Sequence, residues 1–248
     1  MTAESNPFNY RYFVDHAARL GGRVLDYGCG LGQMIALGRE RGLDIWGADT
    51  FEGYYAAWSD GVPAQVRERV RKIEGARADF PDAHFDVVLS NQVLEHVPDP
   101  EASIADIHRL VRPGGTVIAA YPVADTWYEG HVGLYFAHWL NRGSTVRDVY
   151  FTMARWLGYG LYHHDISPAE WAKLSAKTLD EVCFYYPRKR LRRAFEETFG
   201  APVEDFSVDY MRTRLGTRAQ KIPATADTLL RTVYHKRAGE ILRVRKPT

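Results

Sequence analysis

The stretch that most constrains this chain is VLDYGCGLG, Val24 to Gly32. An apolar run carrying one acid, Asp26, leads into three glycines at alternate positions, Gly28, Gly30 and Gly32. Glycine costs backbone entropy, so three within five residues need a reason, and the usual one is close approach of the backbone to a bound group. The next segment, GQMIALGRERG, has helical spacing and a terminating Gly42. A strand, a glycine turn and a helix place helix-terminal N–H groups beside a ligand, be it a phosphate, a dinucleotide or another nucleoside. The spacing narrows that choice. The dinucleotide fingerprint G-x-G-x-x-G would need glycine where Gln33 stands, and the Gly-Lys-Ser/Thr of a P-loop is absent. Both facts argue against NAD and ATP.

The rest of the chain alternates. RVLDYG, LDIWGADT, FDVVLS and TVIAAYPV read as strands. DPEASIADIHRLVRPGG reads as a capped amphipathic helix, with acids early, Arg109 and Arg112 late, and Pro113-Gly114-Gly115 as its stop. Strands separated by helices imply a doubly wound, mostly parallel sheet with right-handed crossovers. Near the end, RLRRAFEETFG and TLLRTVYHKRAG read as helices and VEDFSVDYM and EILRVRKP as strands, which would give the sheet an antiparallel edge. With 248 residues, one domain over 1–248 is expected. Residues 123–187 break the pattern and are dense in aromatics, among them Trp127, Tyr128, Tyr135, Phe136 and Trp139. The segment is too apolar for a disordered linker. It reads as a helical, substrate-binding insertion over the carboxyl ends of the strands, where open α/β sheets bind ligands.

Composition excludes several classes. The net charge of +1 gives no case for nucleic acid or an anionic membrane. No apolar run approaches the ~18 residues of a membrane helix. The start, MTAESNPFNYRYF, lacks the basic-then-apolar layout of a signal peptide, so a cytoplasmic location is expected. Of the two cysteines, Cys29 lies in the glycine loop, so no disulfide with Cys183 is expected.

Together these segments resemble the S-adenosylmethionine-dependent methyltransferases with a Rossmann-like sheet. VLDYGCGLG looks like their first motif, and IWGADT, ARADFPDAHFD, FDVVLSNQVLEHVPDP and LVRPGGTVIAAYP follow in register, over about residues 20 to 122. The resemblance implies S-adenosyl-L-methionine as cofactor. Gly28, Gly30 and Gly32 would admit its methionine and ribose, and Asp26 would hold the ammonium. Asp49, with Thr50 beside it, would take the ribose hydroxyls. Asp79 and Phe80 would hold adenine, and Asn91 and Gln92 would lie beside the transferred methyl. Glu95 and His96 read as scaffold. Residues 1–20 are expected to form a lid over the cofactor, with Tyr10 and Arg11 as contacts.

The acceptor is less legible. NPPY, the mark of amide or adenine nitrogen methylation, is absent. An alcohol acceptor needs a base. His131, Tyr135 and His138 fall at i, i+4 and i+7 of EGHVGLYFAHWL, one face if that stretch is helical. His138 and His131 are therefore the candidate bases. Asp125 is a candidate Mg2+ ligand; whether any metal is needed is left open. His163, His164 and Asp165 read as a cap for the turn before SPAEW. RKRLRR, 188–193, reads as a solvated helix face. The aromatic density favours a saccharide or other polar small metabolite, even an oligosaccharide, as acceptor of an O-methyl group. A phenolic, lipid or quinone-type ring is the alternative, and a non-catalytic cofactor-binding scaffold a third. The oligomeric state is not encoded in any motif.

Overall fold

The structure is a computed structural model that describes residues 7–52, 61–162 and 165–248. Helix α1 (Pro7–Leu20) buries Tyr12, Phe13, Val14 and Ala17 and leads into strand β1 (Arg23–Tyr27). Val24 and Leu25 point to opposite faces of β1 yet both are fully buried, as a strand covered by helices on both sides requires. Helix α2 (Gln33–Glu40) follows the glycine loop and ends before Gly42, whose φ of +77° is left-handed. Strand β2 (Asp44–Asp49), the short helix α3 (Ala64–Arg67), β3 (Val70–Glu74) and the two-residue β4 (Arg77–Ala78) build one flank of the sheet. Strand β5 (Phe85–Asn91), helix α4 (Pro100–Leu110) and strand β6 (Val111–Tyr121) build the other. Asp99 caps α4 by accepting from Ala102 N at 3.0 Å, and Ile104, Ile107 and Leu110 form its buried stripe. α4 stops at Leu110, and Pro113-Gly114-Gly115 already belongs to β6, where the register with β5 shifts between Phe85 and Val87.

After β6 the chain makes a small hairpin, β7 (Tyr128–Glu129) with β8 (Leu134–Tyr135), then helices α5 (Thr145–Trp156) and α6 (Pro168–Val182). Here the sequence expectation needs correction. EGHVGLYFAHWL is not a helix: a left-handed Gly133 and a left-handed Phe136 (φ +58°) interrupt it. His131 sits in the hairpin turn and His138 in a short 3-10 turn, Ala137–Trp139. The insertion is helical only from Thr145 onward. It has its own core, centred on Phe151, Trp171, Leu179 and Val182. Ser167, with Glu170, caps α6; Asp165 is exposed, and His163 and His164 lie outside the described residues.

Helix α7 (Arg188–Phe199) packs Leu191, Phe195 and Phe199 under the sheet. Its basic run is ion-paired, Arg190 with Glu101 and Arg193 with Glu197. VEDFSVDYM gives only a two-residue strand, β9 (Glu204–Asp205), before helix α8 (Ser207–Leu215). Asp205 accepts from Ser207 N at 2.8 Å and turns the chain there, and burial at Ser207 and Tyr210 follows helical, not alternating, spacing. Helix α9 (Asp227–Arg237) and strand β10 (Glu240–Arg245) complete the fold. The sheet order is β4-β3-β2-β1-β5-β6-β10-β9, parallel from β3 to β6 and antiparallel at both edges. This is the expected mostly parallel sheet with an antiparallel edge.

Candidate active site

A cavity of about 860 Å³ opens over the carboxyl ends of β1, β5 and β6. Asp26, Gly28, Cys29 and Gly30 line one end. Asp26 is 1% exposed, and its Oδ1 is buried without a hydrogen-bond partner. Burial, and then the charge of Asp49, push its carboxyl well above the usual range. A buried acceptor of this kind is costly unless a donor comes to it. The ammonium of an S-adenosylmethionine is such a donor, so this end of the cavity fits the methionine part of that cofactor.

The three glycines have different reasons to exist. All have left-handed φ, +81°, +51° and +75° in chain order. A Cβ on Gly28 would stand 2.2 Å from Val93 Cγ2, so that glycine answers to the chain's own packing. Gly32 occupies the N-cap position of α2, with Val66 at its face. Gly30 lines the cavity, and its N–H donates to Asp49 Oδ2 at 2.8 Å. Asp49 Oδ1 accepts from Phe51 N at 3.2 Å, so this acid fixes the loop's shape.

Tyr10, Asn91 and Gln92 also line the cavity. Asn91 Oδ1 is buried without a partner, and Gln92 holds a left-handed φ of +58°. The cavity lining does not reach Asp49, Thr50, Asp79 or Phe80. Asp79 is exposed, and the Phe80 ring packs edge-on against Phe85 at 5.0 Å. That loop is held by Arg109, which donates to the carbonyls of Phe80 and Ala78 at 2.8 and 2.9 Å and pairs with the buried Asp106. α1 is a packed helix, and of the two expected lid contacts only Tyr10 faces the cavity; Arg11 is exposed. Asp125 lies beside Arg188 and Lys236, each at 3.4 Å, so cations already answer its charge.

The far end is where histidines meet. His131 lines it; His138 does not, but packs against Tyr185 in a tilted contact with ring centroids 4.4 Å apart. His131 Nδ1 donates to Glu129 Oε1 at 2.7 Å, and Tyr185 donates to the same oxygen. His96, read as scaffold from the sequence, lines the cavity and meets His131 with their Nε2 atoms 3.3 Å apart. Burial, and then the charge of His131, bring His96 down to about 4. Burial opposes charge on His131 too, but its contacts with Cys183 and Glu129 outweigh this and hold it well above the usual range. These contacts favour the charged imidazole, which disfavours the base role expected of His131. Glu95 is fully buried, and burial pushes its carboxyl up to about 8. Arg214, Arg237, Tyr210 and Tyr234 complete the wall from α8 and α9. No motif marks them, because they reach the cavity only when the C-terminal helices fold back over the sheet.

A methyltransferase-domain family model matches residues 9–200. The ubiquinone biosynthesis O-methyltransferase of Pseudomonas aeruginosa (strain UCBPP-PA14) is 37% identical over 114 residues, 45% of this chain and 49% of that protein. That of Azotobacter vinelandii (strain DJ) is 35% identical over 119 residues, 46% and 50% of the two. The chain therefore spans about half the length of the curated relatives it matches. Among solved structures, an S-adenosylmethionine-dependent methyltransferase from Mesorhizobium loti shares the fold, with a TM-score of 0.54, 17% identity and coverage of 96% of this chain and 97% of that one. By its matched domain, residues 9–200, the chain belongs to the methyltransferase-domain family, and its fold is that of the Mesorhizobium loti structure.

Proposed function

We propose that the protein methylates a hydroxyl on a phenolic, quinone-type ring. One observation carries this reading: a single cavity joins the glycine loop, with its unpartnered Asp26 oxygen, to a wall of flat side chains. The Arg237 guanidinium lies 3.4 Å over the ring of Tyr128, and Tyr10, Tyr210 and Tyr234 share the cavity. Planar surfaces suit a planar ring. The relatives named for ubiquinone biosynthesis favour the same acceptor class. A saccharide was favoured by the insertion's aromatic density, but Trp171 is buried in the insertion's own core, and Trp127 and Trp139 are about half exposed and outside the cavity lining.

S-adenosylmethionine supplies an electrophilic methyl on a sulfonium. The chain does the rest: Asp26 receives the ammonium, Gly30 admits the ligand backbone-close, and the tyrosine wall fixes the plane of the ring. The pair of His131, oriented by Glu129, and His96 stands at the end of the cavity where the acceptor oxygen would lie. Aligning nucleophile and methyl is the main source of rate in such a displacement. The test is to incubate the protein with the cofactor and a panel of dihydroxyphenyl compounds and saccharides, and to follow S-adenosylhomocysteine. Product with the ring compounds is expected; product with saccharides alone, or with neither, overturns the reading.

A further inference from the structure

We propose that His96, His131 and Cys183 bind a zinc-type divalent cation at the acceptor end of the cavity. Their ligand atoms all lie within 4.8 Å of one another. The two Nε2 atoms are already 3.3 Å apart. Tetrahedral zinc with Zn–N bonds of about 2.0–2.1 Å places its nitrogen ligands about 3.3–3.4 Å apart, which the spacing of the two Nε2 atoms matches.

The outer contacts match as well. His96 Nδ1 is 2.6 Å from the carbonyl of Val182, an acceptor only, so that nitrogen carries the hydrogen. His131 Nδ1 likewise faces the Glu129 carboxylate. Both rings are thereby set with Nε2 turned inward, the arrangement by which metal-ligating histidines are oriented. Without a cation, two lone pairs at this distance require a proton between them; the ion takes that proton's place. Cys183, fully buried, contributes a soft sulfur, which selects zinc-like metals over magnesium. Behind the ring of ligands stands Glu95. Its side chain has no exposure, neither oxygen has a hydrogen-bond partner, and Oε1 is 3.9 Å from His96 Nε2. A bound cation gives that carboxylate a reason to be there, beside a Cys183 thiolate and the Glu129 carboxylate. By contrast Asp205, His235 and Glu240, also clustered, are met by Arg231 and Arg192.

Because His96 and His131 line the cavity, the fourth position of the ion opens towards the acceptor. A hydroxyl bound there would ionise more readily and so become a better nucleophile. That role rests on the function proposed above; the binding itself does not.

The test uses the full chain, stripped with a chelator and titrated with Zn2+ and with Co2+. One ion per chain is expected, with a thiolate-to-cobalt charge-transfer band. Cys183→Ser should remove the band and weaken binding at least about 100-fold, while Cys29→Ser leaves the band in place. Glu129→Gln, which keeps every ligand, should weaken binding by about 10- to 100-fold. Melting curves establish that each variant is folded; should Cys183→Ser fail to fold, His96→Gln and Glu129→Gln decide the matter by the same loss of affinity. Absence of stoichiometric binding by the folded wild type, or a band that survives Cys183→Ser, overturns the proposal. Methyl transfer at full rate by chelated protein with no metal bound would leave the function standing and overturn the ion's role in it, while failure to bind one ion per chain would overturn the site itself. Tight metal binding without methyl transfer to any ring would leave the site standing and overturn the function.

Discussion

At the glycine end of the cavity, three elements consecutive in sequence, β1, the loop and α2, assemble the ligand surface. At the histidine end the surface comes from the turn after β5, the β7–β8 hairpin, α6, α8 and α9, spread from Gln92 to Ala238. The first end is made of backbone conformation with one orphaned carboxyl, and a single segment specifies it. The second is made of side chains that meet only after the insertion and the C-terminal helices have docked. The first can therefore be damaged by one change in local shape, whereas damage to the second is graded and spread among elements.

Gly28→Val should have the largest effect. Its Cβ would clash with Val93, and its φ of +81° disfavours a branched residue. Left-handed strain and overpacking each cost about 1–3 kcal/mol. The melting temperature should drop and calorimetry with S-adenosylhomocysteine should show no measurable binding. Normal binding would mean that this end is not shape-limited. Arg147→Met probes the other region. Arg147 is 4% exposed and joins α5 to α6 through two bonds to Asp180, at 2.7 and 2.6 Å. Asp180 is partly solvated, so the loss should be about 2–3 kcal/mol, somewhat below that of a fully buried pair. Hydrogen exchange should quicken in Thr145–Val182 while β1 and β5 stay protected; uniform loss of protection would refute the division into two regions.

Asp26→Asn keeps the shape of the loop and removes the charge. A charge-assisted hydrogen bond is worth about 1.5–3 kcal/mol, so cofactor affinity should fall about ten- to a hundredfold with little change in melting. An unchanged affinity would leave the orphaned oxygen unexplained. The smallest effect is expected for Arg237→Ala. Its stacking on Tyr128 is of the size of an exposed cation–π contact, about 0.5–1 kcal/mol. The KM for the ring acceptor should rise about two- to fivefold with cofactor affinity unchanged; a loss of cofactor affinity instead would move this residue to the other half of the site.

The same contrast explains what could be read beforehand. The strand segments are largely apolar and the glycine loop is a local signal, so the parallel sheet and a glycine loop facing a cavity were legible, whereas the positions expected to hold ribose and adenine, Asp49, Thr50, Asp79 and Phe80, do not reach that cavity. Asp26 stood out because an acid in a buried run needs a partner. EGHVGLYFAHWL was misread because its histidine and tyrosine spacing fits a helix, while Gly133 and the left-handed Phe136 break it. VEDFSVDYM alternates like a strand, but Asp205, accepting from Ser207 N, turns the chain into a helix after two residues. His96 reads as scaffold from the sequence because its place in the cavity comes from facing His131, thirty-five residues away. Arg214 and Arg237 carry no local mark at all.

The insertion's separate core has one more consequence. Phe151, Trp171, Leu179 and Val182 pack on one another, and the segment is fastened to the sheet domain by bonds such as Phe184 N to the Glu95 carbonyl, 2.6 Å, and His96 to the Val182 carbonyl. A segment built this way is replaceable. In lineages of such enzymes, residues 123–187 could be traded for a different sequence with its own small core, keeping only the few fastening points, and the methyl-donor half would fold unchanged. Acceptor preference would then drift faster than cofactor use, and a chimera carrying a foreign insertion between Pro122 and Arg188 should still bind S-adenosylhomocysteine while losing its native acceptor.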